Sequence, residues 1–262
     1  MIGLYDSGLG GLTVLAALRA AGITQDVVYF ADQAHVPYGD RSDAQIQGYH
    51  RENFATLARL GVELLVMGCN SSCAVGGRLG WPKTPYPILD LIETAGRSFT
   101  GAAFERIAVV ATPTTVRSGA YGRAIRAALP GAEVLEIAAP ALVPLVERGA
   151  AESDEAGEAV RAVVASLPDG VDALLYGCTH YPLLDRWFAE ALDDGVARLD
   201  PAAAQAAAAR ASLASAHAAP GSKRTHFYTT GDPIAFERGV CRWTREDDVL
   251  VTALRPGSSS AA

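Results

Sequence analysis

Two short segments of this chain end alike: Glu63-Leu64-Leu65-Val66-Met67-Gly68-Cys69-Asn70-Ser71 and Asp172-Ala173-Leu174-Leu175-Tyr176-Gly177-Cys178-Thr179-His180. Each is an apolar run of strand length that stops at Gly-Cys and passes into small hydroxyl or amide residues. A glycine after a strand lets the backbone turn sharply and sets the next residue at the strand's carboxyl end. In an open α/β sheet that end is where ligands bind. One such segment in each half predicts two related α/β halves with a cleft between them and a thiol on either side of one site. Opposed acid/base groups on the two faces of a carbon are what inversion of a stereocentre requires.

The rest of the chain fits that frame. Further runs that read as strands lie at Ile2–Tyr5, Val27–Ala31, Arg106–Ala111, Glu133–Ile137 and Thr225–Thr229, with helical spacing between them. Ser42 is an N-cap with Gln45 three residues on, opening a helix that carries Ile46, Tyr49, Phe54, Leu57 and Leu60. Pro201 opens an Ala-rich helix to His217 that Pro220 and Gly221 close. The alternation predicts an α/β fold with mainly parallel sheets. The expected domains are 1–95 plus 205–262 and 96–204. The proline-rich segment 81–87 is expected to be a rigid loop, and 256–262 a disordered end.

Bulk properties exclude several classes. Half of the 262 residues are hydrophobic, and the net charge is −7, which argues against nucleic acid or an anionic membrane as partner. No apolar run approaches the roughly 18 residues that a bilayer span needs. The start, Met1-Ile2-Gly3-Leu4-Tyr5-Asp6, lacks a basic stretch, so no secretory signal is expected. Four cysteines without one are expected to be reduced thiols in the cytoplasm.

Cys69 and Cys178 lead the candidates for chemistry. A lone free cysteine is most often a small buried hydrophobe, but two in matching contexts are harder to assign to packing. Cys69 and Cys73 form a C-x₃-C pair, yet no second cysteine pair or spaced histidine pair accompanies them, so no metal is expected. Cys73, one helical turn on, is expected to pack inside, and Cys241 to be structural. Asp6-Ser7-Gly8-Leu9-Gly10-Gly11-Leu12 does not fit a dinucleotide fingerprint, because Thr13 stands where the third glycine belongs, and no phosphate-loop lysine follows. It is either a tight turn capped by Asp6 or an acidic group and a hydroxyl beside a ligand. Pro37-Tyr38-Gly39 is an ordinary turn or a carboxylate cradle built of backbone N–H groups and the Tyr38 hydroxyl. Thr112, Thr114 and Thr115 follow a strand, where hydroxyls cap a helix or receive an anion. His180, two residues past Cys178, suits an acid/base or thiolate-stabilising role. The lysines are Lys83 and Lys223, both in loops, which disfavours pyridoxal phosphate.

Taken in order, Asp6-Ser7-Gly8, Pro37-Tyr38-Gly39, Gly68-Cys69-Asn70, Ala111-Thr112-Pro113, Val143-Pro144-Leu145-Val146-Glu147, Gly177-Cys178-Thr179-His180-Tyr181-Pro182 and Thr230-Gly231-Asp232-Pro233 resemble the motifs of bacterial glutamate racemases. The resemblance runs from Gly3 to about Phe236. It implies a cofactor-independent racemase of the aspartate/glutamate group whose two α/β domains close over glutamate. It implies that Cys69 and Cys178 transfer the protons, assisted by Asp6, Glu147 and His180. Asp6, Ser7, Tyr38, Gly39, Asn70, Ser71, Thr179 and His180 match substrate-binding positions, with Thr115 a further candidate. The implied role is D-glutamate supply for peptidoglycan, by a chain that can pair as a homodimer. Three departures stand out: Ser71 for the usual Thr, Gly68-Cys69-Asn70-Ser71-Ser72-Cys73 for Ala-Cys-Asn-Thr-Ala-Ser, and Leu199-Asp200-Pro201-Ala202 for Ile-Asp-Ser-Gly. They keep open a racemase of another acidic amino acid such as aspartate, and a non-catalytic binding paralogue. A one-thiol decarboxylase fits less well, because both thiol positions are filled.

Overall fold

The computed structural model describes residues 1–245 and 249–254. The first part of the chain lays down β1 (Ile2–Asp6), α1 (Leu12–Ala20), β2 (Val27–Ala31), α2 (Asp43–Arg59), β3 (Leu64–Met67), α3 (Asn70–Leu79), β4 (Ile88–Leu89) and α4 (Leu91–Ser98), with short 3₁₀ turns at Gln33–His35 and Tyr38–Asp40. The middle gives β5 (Arg106–Ala111), α5 (Pro113–Ser118), α6 (Ala120–Ala128), β6 (Glu133–Ala138), α7 (Leu142–Glu147), α8 (Asp154–Val164), β7 (Ala173–Gly177), a 3₁₀ turn at Tyr181–Leu184, α9 (Asp185–Ala191) and β8 (Ala197–Leu199). Then follow α10 (Pro201–Ser215), β9 (Thr225–Thr229), α11 (Pro233–Thr244) and β10 (Val251–Ala253).

These strands form two sheets, β10-β9-β2-β1-β3-β4 and β6-β5-β7-β8, with every pairing parallel. The second order repeats the β2-β1-β3-β4 part of the first, so β5 corresponds to β1 and β7 to β3. A parallel sheet is covered by helices on both faces, so its strands are apolar throughout rather than alternating. The run Ile107–Ala111 is fully buried for that reason. The α/β fold with two parallel sheets expected from the sequence is therefore present. The expected strands occur, while β4, β8 and β10 are additional, each short and at or near a sheet edge.

Local signals explain the helix starts. Ser42 Oγ accepts from Gln45 N–H, and Gln45 Oε1 accepts from Ser42 N–H at 3.0 Å, closing a capping box on α2. Asp200 caps α10, with Pro201 at the first helical position, where its missing N–H costs nothing. Buried Ala202, Ala206 and Ala209 let α10 pack closely beside α1 and α4. From α10, the buried Gln205 donates to Met67 O at 2.9 Å and Leu89 O at 2.8 Å and accepts from Thr94 Oγ1 at 2.7 Å. That amide clamps the end of β3, from which Cys69 springs. Trp81, in the proline-rich segment, lies on Gly76 of α3, where a Cβ would meet its ring at 2.3 Å. Residues 256–262, expected to be a disordered end, lie outside the described residues.

Candidate active site

The carboxyl ends of the two sheets meet, and the seam is built around the loop between β1 and α1. Asp6, fully buried, ends β1 and accepts from Gly8 N–H at 2.7 Å. It does not cap α1, which begins at Leu12 with Gly11 as its N-cap; it closes the loop instead. Its other oxygen accepts from Thr179 Oγ1 of the second half at 3.1 Å. Ser7 Oγ lies 3.7 Å from the Cys69 sulfur. Leu9 N–H donates to Glu147 Oε1, again in the second half, at 2.8 Å.

The glycines of this loop are needed for space. A Cβ at Gly8 would lie 2.1 Å from Glu147 Oε1, and one at Gly10 2.5 Å from both His180 Nδ1 and Thr179 Oγ1. Real Cβ atoms essentially never approach so closely. Bare backbone is what lets the two halves touch here.

On the second half, Cys178 follows β7 as Cys69 follows β3. Its sulfur is 3.7 Å from His180 Nδ1, and His180 Nε2 is hydrogen-bonded to Glu147 Oε1. Glu147 sits at the end of α7 and accepts from Gln33 Nε2 at 2.9 Å. Cys178, His180 and Glu147 thus form one line of contacts ending against the first half.

A second strip of contacts crosses the seam through hydroxyls. Ser71 Oγ and Thr112 Oγ1 are 2.8 Å apart, and Thr112 Oγ1 and Thr115 Oγ1 are 3.1 Å apart. Thr114 Oγ1 donates to Gly39 O at 2.7 Å, and a Cβ at Gly39 would fall 2.8 Å from Thr112 Cβ. Tyr121, from α6, donates to Asn70 Oδ1 at 2.5 Å. That bond leaves the buried Asn70 Nδ2 with no partner among the described residues. The Tyr38 side chain lies behind this strip. Its hydroxyl is 2.6 Å from that of Tyr5 and donates to the Asp32 carboxylate, so the 38–39 turn offers a ligand its backbone rather than that hydroxyl.

Burial and charge act on Cys69 and on the acid and base groups around the two thiols. Burial, with the Asp6 charge adding to it, pushes the Cys69 thiol up to about 12. Burial also lifts Asp6 to about 6, against an opposing pull from His180. Burial on its own would lower His180, but its contacts with Cys178 and Glu147 win and hold it well above the ordinary histidine value. Glu147 is held below the usual carboxylate range: burial raises it, and the hydrogen bond from His180 leads the groups that outweigh burial. Cys69 therefore lies near the buried Asp6 carboxyl, while Cys178 faces the hydrogen-bonded His180–Glu147 pair.

The structure brings Asp6, Ser7, Cys69, Glu147, Cys178, Thr179 and His180 around one loop, and Gly39, Ser71 and Thr115 along the adjoining strip. Cys73 packs inside, accepting from Leu91 N–H at 3.3 Å. The sequence reading passed over Gln33 and Tyr121, and it took Gly10 only as part of a glycine-rich turn; the contacts of all three cross between the halves or between distant elements.

Residues 13–209 match the family model for Asp/Glu/Hydantoin racemase. The glutamate racemase of Gloeobacter violaceus is 39% identical over 244 residues, covering 93% of this chain and 92% of that protein. A glutamate racemase structure from Bacillus anthracis matches with a TM-score of 0.89 at 26% identity, covering 97% of each chain. One from Francisella tularensis, in complex with D-glutamate, matches at 0.86 and 25% identity, covering 98% of this chain and 97% of that one. The chain belongs to the Asp/Glu/Hydantoin racemase family, among its glutamate racemases.

Proposed function

We propose that the chain interconverts L- and D-glutamate without a cofactor, by paired proton transfers at Cys69 and Cys178. The observation that carries this reading is that both thiols are tied to one loop: Cys69 through Ser7, and Cys178 through the His180–Glu147–Leu9 contacts. One sulfur, as thiolate, takes the α-proton. The electron pair left behind spreads into the substrate carboxylate, and the other thiol gives its proton to the opposite face. The reverse reaction swaps the roles. Asp6 beside Cys69, and the His180–Glu147 pair beside Cys178, relay protons to and from the sulfurs. Asn70 Nδ2 and Ser71 supply donors where carboxylate charge develops, with Thr115 supporting Ser71 through Thr112, while Thr179, its hydroxyl given to Asp6, lines the site. The 38–39 turn receives the distal carboxylate. Domains 1–95 plus 205–262 and 96–204 close over the substrate. The D-glutamate made serves peptidoglycan in the cytoplasm.

Cys69→Ser and Cys178→Ser should each lower kcat by roughly 10²–10⁴-fold, the usual contribution of a positioned acid or base. In heavy water, product formed from either enantiomer should carry deuterium at Cα. A folded variant of either thiol that keeps more than about a tenth of wild-type turnover contradicts the mechanism. Equal or better kcat/KM with aspartate contradicts the substrate assignment, because a site built for the longer acid leaves polar groups unpaired with the shorter one.

A further inference from the structure

Glu147 is held from three directions. Oε1 accepts from Leu9 N–H and is bonded to His180 Nε2, while Oε2 accepts from Gln33 Nε2 at 2.9 Å. Gln33 belongs to the first half and Glu147 to the second, so this bond crosses the seam. The backbone that carries Gln33 is fixed on both sides. The preceding Asp32 accepts from Tyr38 and, at 2.6 Å, from Thr230, and Ala34 N–H donates to Thr230 Oγ1 at 3.1 Å. Gly231 lies directly against Gln33: a Cβ there would be 2.6 Å from Gln33 Cβ. The Thr230-Gly231 segment therefore presses the Gln33 stem into place, and only its amide end reaches across.

We propose that Gln33 is a positioning residue for the Cys178 side of the reaction, holding Glu147 aligned on His180 so that the imidazole faces the sulfur. This rests on the two-thiol reading above. A carboxylate can rotate about its last bond, and Leu9 and His180 both hold the same oxygen, Oε1. The Gln33 amide restrains the other and adds a donor to the ionised form, which favours ionisation. The groups that act on Glu147 from the surrounding elements are His180, which favours its charge, Asp6, which opposes it, and Tyr29. Arg242 of α11 lies against Gly149, just past the end of α7. Without Gln33, burial and Asp6 gain weight and Glu147 takes up a proton more readily.

The test is the pH profile of kcat/KM together with the isotope effect for each Cα-deuterated enantiomer, in Gln33→Leu and Gln33→Glu. Gln33 is half-buried at the surface of the seam, so both variants should fold, as checked by thermal melting. Gln33→Leu should lower kcat about tenfold, less than the roughly 10²-fold or more lost with a proton-transfer group itself, because the relay is loosened and not removed. It should also move the acid limb of the profile to higher pH, and Gln33→Glu, which adds a like charge, should move it further. The isotope effect should rise for the enantiomer whose proton goes to Cys178, and fall or stay level for the other, whose product takes its proton from Cys178. An unmoved acid limb, or an equal change in both isotope effects, overturns the proposal. Failure of the two-thiol reading is separate, since it shows as turnover retained in the cysteine variants.

Discussion

Gly10→Ala isolates the steric logic of the seam in a single methyl group. The added Cβ falls 2.5 Å from His180 Nδ1, the same nitrogen that lies 3.7 Å from the Cys178 sulfur, and 2.5 Å from Thr179 Oγ1. Ordinary contact begins at 3.4 Å, so the ring or the loop must retreat by about 1 Å. Neither can do so freely, because His180 is bonded to Glu147, and Thr179 to Asp6. A displacement of about 1 Å at a positioned group costs on the order of 10²-fold in rate. Overpacking of this kind also costs roughly 1–3 kcal/mol of stability. Gly48→Ala is the control: it lies within α2, its nearest neighbour is Arg51 Nη2 at 3.9 Å, and the change should stabilise by roughly 0.5–1 kcal/mol. Racemisation of each enantiomer followed by circular dichroism gives kcat/KM, and thermal melting reports folding. Enantiomers have equal free energies in water, so kcat/KM must fall equally in both directions, which checks the assay itself. A folded Gly10→Ala protein with kcat/KM within about threefold of wild type would refute the argument, since a 1 Å misplacement costs far more.

Two further predictions concern pH. Burial holds Asp6 at about 6, so the folded state keeps a proton that the unfolded state gives up near 3.9. Stability should therefore fall as pH rises from about 4 to about 6, with the cost complete above that range. Asp6→Asn should raise Tm more above pH 6 than below pH 4 while lowering turnover, and an equal rise at both ends would contradict the burial argument. His50 is buried against Phe54, Tyr5 and Trp81, with no partner for either ring nitrogen among the described residues, and burial pushes it down to about 3. The unfolded chain takes up that proton first, near 6.5, so stability should drop as pH falls from there toward 3. His50→Leu should flatten that slope in urea titrations, and an unchanged slope would rule His50 out as its source.

How much of this was legible in the sequence follows from what each residue touches. The inner strands β1, β3, β5 and β7 are buried on both faces, so their apolar runs announce them. β4, β8 and β10 are two or three residues long and only half-buried or exposed, which leaves no pattern to read. Cys69 and Cys178 were visible because a Gly-Cys step after a strand is a local signal. The part of Gln33 depends on Glu147, far away in sequence, and that of Gly10 on His180 and Thr179. No local composition encodes such contacts. The Tyr38 hydroxyl shows the converse: its motif was legible, but its partners Tyr5 and Asp32 turn it inward.

The repeated strand order has a consequence for symmetry of function. A molecule and its mirror image present the same groups on opposite faces, and a scaffold that uses one β-sheet plan twice offers an equivalent foothold to each. The plan places Cys69 and Cys178 at matching stations. It does not make their surroundings match: Ser71 stands where the other half has His180, and the Asp6 loop where the other half has Thr112 to Thr115. Thermodynamics obliges kcat/KM to be the same for both enantiomers, but it leaves kcat and KM free to differ separately. A difference in speed or saturation point between the two directions would have its source in those unmatched neighbours, on a frame built as a near-copy of itself.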